Sequence, residues 1–286
     1  MTQPPPTVTP STIAFIGGGN MARSLICGLI ARGTPASAIR VAEPVRELRE
    51  SLARDYGVAV FDDNTVAVDG AAIWLLAAKP QVIRAVCEAL ASEASARRPL
   101  VISIAAGITI TQLARWLDGD NSGVAAPAIV RCMPNTPALL GAGVTGLYAN
   151  AQVDAAGHAR AEALLSSVGR TVWIDDEALM DAVTGVSGSG PAYVFLLAEA
   201  MEQAALAEGL PGDAARVLVQ QTLLGAARML VESGEAPAEL RRRVTSPDGT
   251  TQAAIEAFEA GGLRTLVADA IHAATTRGAQ LSTAND

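Results

Sequence analysis

Two short stretches of this chain carry residue types whose spacing could do chemistry. In the first, Gly17-Gly18-Gly19-Asn20-Met21-Ala22 follows an apolar run and opens a helical one. The spacing G-x-G-x-x-A lets the chain turn tightly at Gly17 and bring bare backbone at Gly19 against a pyrophosphate. Ala22 then keeps helix and strand close. A helix starting there offers unpaired N–H groups and the positive end of its dipole. In the second stretch, Val244-Thr245-Ser246-Pro247-Asp248-Gly249-Thr250-Thr251 precedes another helix. Hydroxyls and consecutive backbone N–H groups at a helix start make a cradle for a carboxylate. An ordinary capping turn uses the same residue types.

Other residues extend the first stretch into a dinucleotide site. Glu43 closes the second apolar run, 24 residues beyond Gly19, where an acid normally accepts the adenosine ribose hydroxyls. A carboxylate there repels a 2′-phosphate and argues for NAD, whereas Arg40, Arg46 or Arg49 could meet that phosphate. NADP(H) and NAD(H) therefore both stay open. Three further apolar runs end in Ala77-Ala78-Lys79-Pro80-Gln81, Ala105-Ala106-Gly107 and Met133-Pro134-Asn135-Thr136-Pro137. Ligands of open α/β sheets bind outside the carboxyl ends of the strands. That places Ala78, Lys79, Pro80, Ala105, Ala106 and Asn135 among the cofactor candidates, although each segment alone is also ordinary turn chemistry.

What the chain lacks is equally informative. Lys79 is its sole lysine, and His158 and His272 its two histidines. No lysine follows the first half to serve as proton donor. A histidine-dependent dehydrogenase would need a histidine placed by a carboxylate, whereas His158 lies in an Ala-rich polar helix and His272 in the terminal helix. Both read as surface or packing residues. The substrate must then need little help with its proton. A cyclic imine protonated in solution meets that condition, because it is already electrophilic and needs chiefly to be held against a hydride donor.

The elements that must position these groups follow from periodicity. Short β-branched runs at 12–16, 39–42, 72–77, 100–104, 129–133 and 171–174 read as strands. Amphipathic stretches at 20–31, 45–56, 81–94 and 109–117 read as helices between them, the pattern of a parallel sheet. After residue 176 the chain is helical, punctuated by Gly and Pro. The stretch 191–208, opened by Gly188-Ser189-Gly190-Pro191-Ala192, is apolar on nearly every face, and 214–231 has wide apolar coverage. Helices of that kind must be covered all round, which calls for a second subunit. The expected organisation is a disordered tail over 1–11, a Rossmann-like dinucleotide-binding domain over 12–174, and an all-helical substrate and dimerisation domain over 175–286.

Composition narrows the partners. The chain has 286 residues, 50% of them hydrophobic but only 3% aromatic, so its core is built from Ala, Val, Leu and Ile. A net charge of −8 argues against nucleic acid, which needs clustered basic residues. The run Arg241-Arg242-Arg243 beside Glu239 reads as a solvated helix end. Cys27, Cys87 and Cys132 have no metal-ligand spacing, so no metal is expected. They read as small core residues of a reduced, cytoplasmic protein. Residues 1–11 lack the charge and apolar pattern of a signal peptide, and no run is long and apolar enough for a membrane span.

Taken together, these motifs resemble pyrroline-5-carboxylate reductase, the enzyme family completing proline synthesis. The matching pieces are Phe15-Ile16-Gly17-Gly18-Gly19-Asn20-Met21, Ala78-Lys79-Pro80-Gln81, Ala106-Gly107, Arg131-Cys132-Met133-Pro134-Asn135-Thr136-Pro137, Gly188-Ser189-Gly190-Pro191-Ala192 and the 244–251 segment, in family order. The resemblance implies that L-1-pyrroline-5-carboxylate is reduced to L-proline by NAD(P)H. It implies a homodimer, with family dimers assembling into rings of five. It also implies that Val244, Ser246, Gly249, Thr250 and Thr251 bind the substrate, with the Thr251 hydroxyl near the imine nitrogen. Reduction of a related six-membered cyclic imino acid is the neighbouring reading. A nucleotide-binding regulator without catalysis is the other, and intact Ser246 and Thr251 count against it. The chain departs from the family at Asp248, where the family usually has Gly; we read Asp248 as a cap on the following helix.

Overall fold

The computed structural model describes residues 11–118 and 126–284. The expected tail thus lies outside the described residues, except for its last member. Strands β1 (Ile13–Ile16), β2 (Ile39–Ala42), β3 (Ala59–Phe61), β4 (Ile73–Leu76), β5 (Leu100–Ser103), β6 (Ala128–Met133), β7 (Gly143–Ala149) and β8 (Gly169–Trp173) form one sheet in the order β3-β2-β1-β4-β5-β6-β7-β8. From β3 to β6 all neighbours are parallel. β7 runs antiparallel to β6, and β8 parallel to β7. The order reverses beside β1, so the crevice for a ligand opens at the carboxyl end of that strand.

Period-two alternation assigns the strand residues to two faces. Ile13 and Phe15 join Leu25, Ile26 and Leu29 of α1 (Asn20–Ala31), together with Leu52 of α2 (Arg46–Tyr56). Ala14 and Ile16 face the other way. They join Ala67 and Val68 of α3 (Asn64–Val68), Ile83, Cys87 and Leu90 of α4 (Pro80–Arg97), and Leu113 and Trp116 of α5 (Ile110–Asp118). Fully burying each large aliphatic chain contributes about 1.5–3 kcal/mol. With so few aromatics, helices must come close. Ala14, Ala22 and Ala42 are at most 1% exposed and make that approach possible. Helix α6 (Ala155–Leu165) starts where the Asp154 carboxylate accepts from Gly157 N–H at 2.7 Å.

Three elements escape periodicity, each for a physical reason. β3 is a three-residue edge strand and α3 a single turn capped by Asp63, both too short to show a period. β7 contains Gly143 and Gly146, which weaken its strand pattern. Both glycines are required. A Cβ at Gly143 would lie 2.9 Å from Ala138 Cα, and one at Gly146 2.6 Å from Val183 Cγ1.

The chain divides into two compact units, one running to Gly188 and resuming at Ala274, the other spanning Ser189–Ala273. By packing, the first unit thus extends through Gly188. Residues 177–188, including α7 (Met180–Val183) and the π-turn Thr184–Gly188, are tied to the sheet by the Arg131 ion pairs and by Asn135 described below. The second unit holds α8 (Gly190–Ala207), α9 (Gly212–Glu232), α10 (Pro237–Arg243), α11 (Thr250–Ala260) and the start of α12 (Leu263–Ala284). The rest of α12 belongs to the first unit, where Gln112 Nε2 donates to Ser282 O at 2.9 Å. No helix among the described residues is long and apolar enough to cross a membrane.

Candidate functional site

The loop between β1 and α1 has the geometry its glycines foretell. Gly17 sits at φ +103 and donates its N–H to Ala42 O at 2.8 Å. A Cβ there would lie 2.8 Å from Ala77 O, so the turn excludes any side chain. Gly19 is the opposite case: nothing lies within 4 Å of its would-be Cβ. It is the N-cap of α1, with no side chain capping the helix. The N–H groups of Asn20 and Met21 thus open on an unfilled surface at the positive end of α1. This fits a pyrophosphate, which needs room, N–H donors and a favourable dipole.

Glu43 is joined to this loop. Its Oε2 accepts from Gly18 N–H and its Oε1 from Val45 N–H, each at 2.9 Å, and the residue is 6% exposed. Gly18 is also closely approached: a Cβ there would lie 2.5 Å from Leu52 Cδ1, so the leucine would have to move to admit one. Arg46 lies on the surface, its Nε 2.7 Å from Glu50 Oε1. Arg49 Nη1 donates to Glu43 O and Pro44 O at 2.8 and 2.9 Å and fixes the strand-end turn. Arg40 points elsewhere, onto Ala67 O and Val66 O.

The remaining strand ends are arranged around the same edge of the sheet. Ala77 and Ala78 follow β4. Lys79 is the N-cap of α4 without a side-chain cap bond, and Pro80 occupies its first turn, where no N–H is needed. Ala105 is 4% exposed after β5, and Ala106 is half-buried. Asn135 after β6 is 9% exposed with its amide already engaged. Its Oδ1 accepts from Val144 N–H at 3.0 Å and its Nδ2 donates to Ser187 O at 3.1 Å. The side chain thus staples the β6 loop to β7 and to the π-turn.

Sequence reading missed a buried ion-pair cluster. Arg131 on β6 is 5% exposed, with Nη1 3.1 Å from Glu177 Oε1 and Nη2 3.2 Å from Asp181 Oδ1. Glu177 Oε1 also accepts from Ile110 N–H at 2.7 Å, at the start of α5. No local spacing links these residues. The one available signal was an arginine inside an apolar strand, which must find acids if buried.

Within the second unit, the 244–251 segment forms a turn leading into α11. Gly249 is the helix N-cap, without a side-chain cap bond. Gly249 N–H donates to Ser246 O at 3.1 Å. Among the described residues, the hydroxyls of Ser246, Thr250 and Thr251 have no partner, and Val244 is exposed. Asp248 does not cap α11. It sits at φ +58 and its backbone N–H donates to Gln252 Oε1 at 3.0 Å. The capping expectation is thereby corrected: the position needs a left-handed conformation, which explains glycine there in the family pattern.

The cysteines divide. Cys87 and Cys132 are buried, and burial pushes the Cys87 thiol up to about 12 and the Cys132 thiol further in the same direction. Cys27 is exposed on α1, contrary to the expectation of a core residue. It lies on the helix side away from Leu25, Ile26 and Leu29. His158 packs against Trp173 with ring centroids 4.3 Å apart, as a packing residue would. The Arg241-Arg242-Arg243 run ends α10 and pairs with Glu259, Glu239 and Glu235.

Comparison with known proteins adds independent findings. Residues 177–281 match the family model described as pyrroline-5-carboxylate reductase dimerisation, and residues 12–107 match that of NADP oxidoreductase, coenzyme F420-dependent. A pyrroline-5-carboxylate reductase of Pseudomonas aeruginosa is 53% identical, covering 94% of this chain and 96% of that protein. The structure of a pyrroline-5-carboxylate reductase from Coxiella burnetii superposes with a TM-score of 0.90 at 42% identity, covering 96% of this chain and 99% of the other. That of Plasmodium falciparum pyrroline carboxylate reductase, with NADP bound, does so at 0.81 and 26% identity, covering 95% and 98%.

Proposed function

The chain belongs to the pyrroline-5-carboxylate reductase family, and on that basis we propose how its residues divide the reaction between them. The reaction is L-1-pyrroline-5-carboxylate + NAD(P)H + H⁺ → L-proline + NAD(P)⁺, the last step of proline biosynthesis. Gly17, Gly18, Gly19, Asn20 and Met21 receive the pyrophosphate of the dinucleotide. Glu43 and Arg46 face its adenosine end. Ala78, Lys79, Pro80, Ala105 and Ala106 border its path across the strand ends, and Asn135 holds the loop after β6 in place. When bound, the reduced nicotinamide supplies the hydride.

The 244–251 turn takes the substrate. The backbone N–H groups at the start of α11, with the Ser246 and Thr250 hydroxyls, receive the carboxylate, and Val244 and Gly249 shape the turn. The Thr251 hydroxyl meets the ring nitrogen. Because the imine brings its proton from solution, carbon accepts hydride and the product leaves as a secondary amine. Thr251 then needs to orient the nitrogen and relay a proton from solvent to the product amine, not to act as a strong acid. The carrying observation is the α11 N-terminus capped by Gly249 alone, beside three hydroxyls without partners among the described residues.

Functionally, 12–174 is assigned to the dinucleotide and 175–286 to substrate and dimerisation. The protein is a homo-oligomer; the family pattern supports rings of five dimers, and three unpaired cysteines fit a reducing cytoplasm. Thr251→Ala is expected to lower kcat about 10²-fold, at the lower end of proton-transfer contributions, and to leave the NAD(P)H dissociation constant within about twofold. Loss of nucleotide affinity equal to the loss in turnover would reject the role. The six-membered cyclic imino acid, assayed in parallel, should turn over more slowly; preference for it would replace the substrate assignment.

A further inference from the structure

We propose that Glu43 makes this chain select NADH over NADPH. The inference rests on reading the Gly17–Gly19 loop as the dinucleotide site and deepens that reading. Glu43 and the loop are one unit, since Gly18 N–H donates to Glu43 Oε2 and Val45 N–H to Oε1. A carboxylate offers about four lone-pair sites, so two remain for hydroxyl donors. The vicinal 2′- and 3′-hydroxyls of an adenosine ribose are the matching pair. A 2′-phosphate would replace one of those donors with an anion against a buried carboxylate, leaving lone pairs to face lone pairs.

Accepting NADPH would require a cation at the same strand end, and every neighbouring guanidinium is committed. Arg49 holds Glu43 O and Pro44 O, with Nη2 3.8 Å from Asp62 Oδ2. Arg23 holds Ser51 Oγ at 2.9 Å and Asp55 Oδ2 at 2.6 Å. Arg40 is bound to two carbonyls of the α3 turn and lies 4.4 Å over the Phe61 ring. Arg46 is paired with Glu50 in solvent, which makes it the loosest of the four, yet it too must leave an acid to meet a phosphate. Arg23, Arg46 and Arg49 thus each lie beside an acid and Arg40 is held by carbonyls, so each of these guanidinium groups would have to give up a partner to meet a 2′-phosphate.

The test is direct binding without substrate, read by calorimetry on the full-length wild-type protein. NADH should bind at least tenfold more tightly than NADPH. The fragments 5′-AMP and adenosine 2′,5′-bisphosphate should show the same order, which confines the effect to the adenosine end. A ratio below tenfold, or NADPH binding more tightly, overturns the proposal. Glu43→Gln, which removes the charge and keeps the size, should bring the NADH/NADPH ratio to within about threefold. A ratio unchanged in that variant overturns the role of Glu43. The wild-type fragment measurement stands even where the variant folds poorly. Failure of the dinucleotide reading itself looks different: neither nucleotide binds.

Discussion

Asp248 holds a backbone conformation that suits glycine, in the turn assigned to an anionic substrate. In the left-handed region a Cβ crowds the next carbonyl at roughly 1–2 kcal/mol for an ordinary residue, less for Asp. Glycine would remove the crowding but lose roughly 0.5–1 kcal/mol more backbone entropy on folding. The two effects nearly cancel, so Asp248→Gly should leave the urea midpoint almost unchanged. Its effect should fall on the substrate. Two charges about 4 Å apart in water interact by about 1 kcal/mol, so removing one should lower KM for pyrroline-5-carboxylate about fivefold. An unchanged KM would show that the Asp248 charge does not reach the substrate. Glu43, another acid assigned to a ligand site, follows the last residue of β2, where the sequence expects it. Its hold on Gly18 N–H was not legible, because hydrogen bonding between residues 25 apart leaves no mark on either segment.

Among the elements, the Arg131 cluster fixes three segments at once: β6, the start of α5 and the 177–181 turn. Removing one partner of a buried ion pair leaves uncompensated charge and costs about 3–5 kcal/mol. Arg131→Leu should therefore lower stability by about that amount in urea unfolding. Adding Glu177→Gln and Asp181→Asn should recover much of it, because no carboxylate is then left unpaired. A loss below about 1 kcal/mol in the single variant would mean that the cluster is effectively solvated. Asn135 does the neighbouring work by neutral hydrogen bonds to Val144 and Ser187. Sequence reading took it for a cofactor contact because it ends a strand. Its side chain holds the loop that the cofactor is assigned to pass.

In the molecule as a whole, the second unit does not bury its own apolar helices. α8 has no buried residue, and α9 buries only Ala215 and Val219 among its 21 positions. Phe195 and Leu196 are 67% and 66% exposed, and Val217, Val231 and Leu266 are similarly bare. Membership in a family with a dimerisation domain supplies the cover: another copy of the chain. Phe195→Glu should shift sedimentation toward monomer and make the melting temperature depend on protein concentration, since association stabilises by mass action. A variant that sediments as wild type would place the interface elsewhere on these helices.

Read without coordinates, the residues already dictate the alternation of strands and helices, the glycine loop, the turn before α11 and the demand for a second subunit. All are written in local periodicity, in motifs a few residues long, or in a helix apolar on every side. Folding in three dimensions was needed to bring Arg131 to Glu177 and Asp181, to force glycine at 143 and 146 against Ala138 and Val183, and to set Asp248 left-handed. It was also needed to pack residues 177–188 with the sheet. These facts depend on which distant segments become neighbours, and a short-range pattern carries no record of its eventual partner.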